Sequence, residues 1–159
     1  MITCARVGGM EMLYAEDLRE GQEFPFGSYP MVEAEMLAFA RQYDPIPIHT
    51  DPAAAAASPF GGLIASGLHT MAIYQRLIVE AMWNRVAGIA GRSFQIRLAK
   101  PVRPGNKLTG RARITTITHR SERHDAVVII TSNITTEDGE TVLAVVLDTL
   151  VAARPAPRA

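Results

Sequence analysis

Between positions 67 and 86 apolar residues recur at spacings of three and four: Leu68, Met71, Ala72, Leu77, Ile78, Ala81 and Met82. Ile73, Val79 and Trp83 widen that surface beyond one stripe. A helix that is apolar on more than one side has to be enclosed by the rest of its chain. The C-terminal half of the chain supplies the enclosure. After Gly88 and Gly91 the apolar period drops from about 3.6 to 2. Phe94, Ile96 and Leu98 alternate in one strand. Segments 108–117, 126–136 and 141–152 read as three more, and the second of these is very rich in β-branched residues. Asp138-Gly139 marks a hairpin turn. Lys100-Pro101-Val102-Arg103-Pro104-Gly105-Asn106 has the chemistry of a tight connection. Strands gathered after a central helix predict an α+β fold with an antiparallel sheet. The simplest cover for the helix is that sheet, curved round it. Its edge strands need pairing or shielding, which predicts association with a second copy of the chain.

Upstream of the helix the pieces are short. Positions 14–21 read as one helical turn or a loop, closed by Gly21. Positions 22–29 place Phe24 and Phe26 in alternation, a first strand that Pro30 ends. Val32, Met36, Leu37, Phe39 and Ala40 predict an amphipathic helix over 32–43. Asp44-Pro45 stops it, because the residue before proline avoids the α region. Asp51-Pro52 restarts a helix, with aspartate as the cap and proline at the first helical position. Ser58-Pro59 ends that helix, and Phe60-Gly61-Gly62 turns the chain toward Gly67. Positions 1–12 read as a flexible lead, 13–153 as a single domain and 154–159 as a flexible tail.

A chain of 159 residues suits one domain. Sixteen Lys and Arg balance sixteen Asp and Glu, so the surface lacks the basic excess that nucleic acid or an anionic membrane requires. No apolar run approaches the ~20 residues of a membrane span. The apolar part of the N-terminus is too short for a signal peptide. Cys4 is the single cysteine, which excludes an intrachain disulfide and predicts a reducing, cytoplasmic setting. His49, His69, His119 and His124 make no zinc-ligand spacing with Cys4 or a carboxylate, and no metal is expected.

Asp44 and His49 stand out chemically. Pro45 and Pro47 lie between them and reduce the freedom of the loop that carries both. Aspartate and histidine share acid and base roles when burial and mutual contact tune them. On spacing alone the plainer reading has the better claim, with Asp44 capping a turn and His49 a satisfied loop histidine.

The wider context changes that balance. Tyr43-Asp44-Pro45-Ile46-Pro47-Ile48-His49-Thr50-Asp51-Pro52 is followed by Ser58-Pro59-Phe60-Gly61-Gly62-Leu63-Ile64-Ala65-Ser66-Gly67-Leu68-His69-Thr70, and then by the turn at 100–106. In that order these stretches resemble the MaoC-like dehydratases, the hot-dog-fold relatives of (R)-specific enoyl-CoA hydratases. The resemblance implies a curved antiparallel sheet wrapped round a long helix. It also implies a homodimer or higher homo-oligomer with its sites near the subunit interface. The activity implied is that of a lyase: hydration of a trans-2-enoyl-CoA, or dehydration of the matching (R)-3-hydroxyacyl-CoA. Coenzyme A is then the carrier of the substrate, and no further cofactor is implied.

In that family Asp44 and His49 would hold the water that adds to the alkene. Gly67 would offer its amide to the thioester oxygen. A helix N-terminus has unpaired N–H groups and a positive dipole end, and glycine permits close approach; the alternative is a glycine needed only for the turn into the helix. Ser66 is a substrate-binding candidate, although capping the helix is the commoner role for such a serine. His69, one turn further, reads as a packed or interface histidine, and Met71 and Met82 as core. Ile46 departs from the hydratase pattern, which has Asn there, with Gln in a wider variant; isoleucine cannot donate an amide hydrogen bond. Arg92, Lys100, Arg103 and Lys107 flank the turn at 100–106. Some basic residue should meet the phosphates of coenzyme A, yet each of these reads singly as surface charge. Two other readings stay open. The same activated water could hydrolyse an acyl-CoA thioester, or the chain could be a non-catalytic acyl-CoA-binding subunit.

Overall fold

The computed structural model describes residues 6–7 and 10–156, with side chains from Met12 onward. Cys4, Gly8-Gly9 and most of the expected lead, together with 157–159 of the expected tail, lie outside the described residues. β1 (Arg6–Val7) pairs with β2 (Met10–Glu11). A 3-10 turn at Ala15–Asp17 leads to β3 (Glu23–Pro25) and β4 (Tyr29–Pro30). Then come α1 (Glu33–Tyr43), α2 (Pro47–Thr50), α3 (Pro52–Ala56) and α4 (Gly67–Ile78). The chain finishes with β5 (Gly88–Leu98), β6 (Lys107–Arg120), β7 (Asp125–Thr135) and β8 (Thr141–Ala152).

The main sheet is antiparallel with order β3-β6-β7-β8-β5, and β4 also pairs with β6. α4 lies on its inner face. Ile73, Tyr74, Leu77 and Ile78 are buried in one cluster with Phe24, Leu108, Ile114, Ile130, Ile134, Leu143 and Leu147. The period of 2 decides which strand residues join that cluster: along β8, Leu143, Val145, Leu147, Thr149 and Val151 are buried and the residues alternating with them from Ala144 onward are not. This is the hot-dog arrangement, a curved antiparallel sheet with a helix in its hollow.

Four expectations need correction. The first strand is two short ones, β3 and β4. The chain leaves the sheet at Gly27, where Phe26 N–H donates to Gly110 O and Thr109 Oγ1 donates to Gly27 O. The region 45–50 is not all loop: Pro47 starts α2, since proline at the first helical position forgoes no hydrogen bond. The long helix is shorter than 67–86. α4 stops at Ile78 and runs on as a π-helical turn over Val79–Trp83, with Asn84 N–H reaching back to Val79 O. Beyond it the Trp83 ring presses so close to Gly88 that a β-carbon there would lie 3.0 Å from the ring.

The fourth correction concerns β5. Its apolar alternation predicts a core face, and the parity is right. Phe94, Ile96 and Leu98 pair with Leu147, Val145 and Leu143 and so share the inner face of the sheet. They are nonetheless 44%, 49% and 59% exposed. The apolar face of the sheet is wider than the single helix that covers it. The helix is likewise not enclosed all round, with Leu68 58% exposed and Met71 and Val79 half-buried.

The expected tail begins with a tie to the body. The Arg154 guanidinium donates to both oxygens of Asp17 and its backbone N–H to Glu16. At the far end of the β6–β7 hairpin, Arg120 grips Asp125 with two hydrogen bonds of 2.7 Å. That guanidinium holds the Asp125 carboxyl below its usual range. A carboxylate with a lowered folded pKa stabilises above its unfolded value, about 3.9 for aspartate, and that contribution is lost as pH falls through the folded value. Asp125→Asn is therefore expected to lower the urea midpoint at pH 6. The gap from the unchanged protein should narrow as pH drops below about 4. A gap that widened in acid would contradict this.

Candidate active site

α1 ends at Asp44, whose backbone N–H still bonds to Ala40 O but whose φ of −153° has left the helix. Pro45 enforces the exit. Ile46 then anchors α2 with its backbone: its carbonyl accepts from His49 N–H and from Thr50 Oγ1. The Ile46 side chain is 49% exposed. The loop is thus shaped by main-chain bonds, and needs no side-chain amide at 46 to hold His49. Asp51 caps α3, accepting from the amides of Ala53 and Ala54.

His49 is buried. Its Nδ1 lies 2.9 Å from the carbonyl oxygen of Ile64. A carbonyl only accepts, so Nδ1 carries the proton and Nε2 of the neutral ring presents a lone pair. That Nε2 is 3.6 Å from Asp44 Oδ2. The separation is too long for a direct hydrogen bond and suits a water about 2.8 Å from each atom. The Ser66 hydroxyl donates to the same Oδ2 at 2.6 Å and accepts from Leu68 N–H at 3.2 Å. Ser66 therefore both caps α4 and orients the carboxylate. Its hydroxyl proton is committed to Asp44.

Gly67 is the first residue of α4, where the backbone N–H has no intrahelical acceptor. Packing gives a separate reason for the glycine. A β-carbon at 67 would meet Leu98 Cδ1 at 2.5 Å. Leu98, from the end of β5, thus packs against this residue.

The basic residues near 100–106 have local partners. Arg92 faces Asp148 at 3.5 Å, and Lys100 pairs with Glu140. The Arg103 guanidinium donates to Phe60 O at 2.6 Å and braces the Phe60-Gly61-Gly62 turn. Lys107 donates its backbone N–H to Glu137. Among the described residues no three His, Cys, Asp or Glu side chains gather as a metal-holding group. No described helix is long and apolar enough to cross a membrane.

A hollow of about 810 Å³ lies elsewhere. Its lining is mixed, with Pro25 and Phe26 beside Glu23, Arg111, Arg113 and Asn133, and it lies away from Asp44 and His49. A smaller hollow of about 220 Å³ lies between the far end of α4 and β5, beside Val79, Trp83 and Phe94. Asp44 and His49 line neither of them. Two contributors to the site are not visible in the sequence, the Ile64 carbonyl and the Ser66–Asp44 bond. A backbone acceptor has no residue signature, and a partner 22 positions away meets Asp44 only after folding.

The fold is that of a hot-dog protein, with Asp44 and His49 facing each other across 3.6 Å beside the Ser66 cap of its central helix. The model of the MaoC like domain matches residues 17–138, and the chain belongs to that family. The MaoC-like dehydratase of Rhodospirillum rubrum is 36% identical, with a TM-score of 0.85 over 91% of this chain and 99% of that one. An (R)-hydratase of A. caviae involved in PHA biosynthesis is 26% identical, with a TM-score of 0.67 over 87% of this chain and 99% of that one. The uncharacterised protein YdeM of Bacillus subtilis (strain 168) is 34% identical over 89 residues, which are 55% of this chain and 63% of YdeM.

Proposed function

We propose that this chain is a lyase that adds water to trans-2-enoyl-CoA thioesters, or removes it from (R)-3-hydroxyacyl-CoA. The observation that carries the reading is the pairing of His49 Nε2 with Asp44 Oδ2 across 3.6 Å, with Nδ1 tied to the Ile64 carbonyl. His49 takes one proton from the bridging water, whose oxygen bonds to C3. The C2=C3 electron pair moves toward the thioester, whose oxygen gains enolate character beside the Gly67 amide. The Asp44–His49 pair returns the proton to C2, so both side chains end as they began. Dehydration is the same path reversed. The likeness to the Rhodospirillum rubrum dehydratase and the A. caviae (R)-hydratase supports this chemistry.

The acyl chain runs from Gly67 along α4, between the helix and the sheet, toward the hollow beside Trp83 and Phe94, whose bulk limits its length. The test is a series of enoyl-CoAs of graded length and branching. Loss of the conjugated-alkene absorbance without free thiol is expected. Release of thiol would move the reading to thioester hydrolysis, and tight binding of every member without turnover would sink it.

The working unit is a homodimer in a reducing cytoplasm. β5 is a sheet edge whose inner face carries exposed Phe94, Ile96 and Leu98. An edge so long and apolar is covered by a second copy in place of water. The wild-type chain should sediment as a dimer or a multiple of it. Ile96→Arg should release monomers. A monomeric wild type at assay concentration would refute the pairing.

A further inference from the structure

Asp44 closes α1 and Ser66 opens α4. Their hydrogen bond therefore depends on how the two helices are spaced. One turn into α4, His69 is only 3% exposed. Its ring lies flat on Phe39 of α1, with centroids 4.6 Å apart and planes 12° from parallel. Its Nε2 is 3.7 Å from Glu35 Oε1, a charge contact longer than a hydrogen bond. Glu35 and Phe39 are four residues apart and so share one side of α1. Glu35 is itself held, since the Tyr29 hydroxyl donates to the same oxygen at 2.5 Å. On the other side Phe39 touches the ring of Tyr43, centroids 4.9 Å apart, and Tyr43 immediately precedes Asp44.

A histidine is a costly filler for this slot. Its Nδ1 is buried with no hydrogen-bond partner, a penalty that an apolar side chain would avoid. Burial pushes the imidazole below its ordinary range, against the opposing pull of Glu35. The ring that stacks on Phe39 at neutral pH is thus the uncharged one. A flat ring with one polar edge fits both Phe39 and Glu35, which neither leucine nor phenylalanine does.

We propose that His69 is a positioning residue: through Phe39 and Glu35 it sets the spacing of α1 and α4 at which Asp44 stays on the Ser66 hydroxyl and opposite His49. It never touches the reacting atoms. The kinetic part of its test rests on the hydratase reading, and the spectroscopic part does not.

The spectroscopic probe is the Asp44 carboxyl carbon resonance at pH 7, calibrated by Ser66→Ala, which removes its hydrogen bond. His69→Ala should move the resonance to where Ser66→Ala puts it. His69→Phe, which keeps the stacked ring, should recover at least half of the change. In turnover, His69→Ala should lower kcat about tenfold and change KM less than about twofold. In an Asp44→Asn background it should lower kcat no further, because residues acting through one group are not additive. A folded His69→Ala protein with an unmoved Asp44 resonance, or an additive loss in that background, overturns the proposal. If His69→Ala does not fold, Phe39→Leu removes the stack from the α1 side and is read in the same way. If the wild type turns over no enoyl-CoA, the hydratase reading fails and the resonance still decides the role of His69.

Discussion

Asp44→Asn and His49→Ala each lower the hydration rate about a hundredfold or more, the scale expected when a positioned acid–base group is removed. The two should not multiply. His49 Nε2 and Asp44 Oδ2 face each other across 3.6 Å and would hold one water together, so losing either leaves that water badly placed. The double variant should therefore be little slower than the slower single one. Stability should move less than rate. Asparagine retains an oxygen able to accept from the Ser66 hydroxyl, and the cap on Leu68 N–H comes from Ser66 itself. His49→Ala frees the Ile64 carbonyl, which gives up one buried hydrogen bond. Initial rates with a 2-enoyl-CoA, measured beside thermal melts, separate the two effects. Near-normal rates in both folded variants would remove the assigned roles.

Gly110→Ala is expected to be the most damaging single-methyl change in the sheet. A β-carbon at 110 would stand 2.0 Å from the carbonyl oxygen of Asn133 and 3.2 Å from the Ile134 α-carbon. Those are backbone atoms of β7, paired to β6 along its length. No rotamer relieves the clash; the two strands must part. The same residue's carbonyl accepts from Phe26 N–H, so the crossing after β3 is disturbed as well. The loss should reach about 3 kcal/mol, the upper part of the range for overpacking, and shift the melting temperature by about 10 °C in a domain of this size. Gly67→Ala makes the informative contrast. Its collision is with the end of an exposed leucine side chain, Leu98, which can turn aside. A Gly110→Ala protein that melted with the wild type would show that the strands do not approach so closely.

The two glycines show how far the primary structure can be read. Gly110 sits in a run of alternating residues, and a glycine inside a strand signals a close backbone approach. That signal is present at 110, although the alternation around it says only that the segment is a strand. At Gly67 the helix start is legible from the turn before it and the apolar spacing after it. The side chain above it is not, because Leu98 is 31 positions away and arrives only when β5 folds back along α4. The same holds for β5. Its alternation correctly identifies a strand with one apolar face. Nothing in the alternation says that one helix is too narrow to cover that face.

Asp44 and His49 are not paired by their spacing, which alone favours a capped turn and a loop histidine; the ordered stretches 43–52 and 58–70 and the resemblance they carry single the two out. Ser66 is legible as a cap because short-range geometry is written locally. Local rules also yield the start of α1, its stop at Pro45, the Asp51 cap, the hairpin at Asp138-Gly139 and the four long strands, since each depends on neighbours within a few residues. Only the tertiary structure decided the encounters between distant segments. They include the Ile64 carbonyl that selects the His49 tautomer, the Ser66 hydroxyl turned onto Asp44, and the His69 ring laid on Phe39. Backbone preference acts over a turn or two of chain. Which side chains meet across the fold is settled by packing a finite volume, and that is a property of the whole molecule.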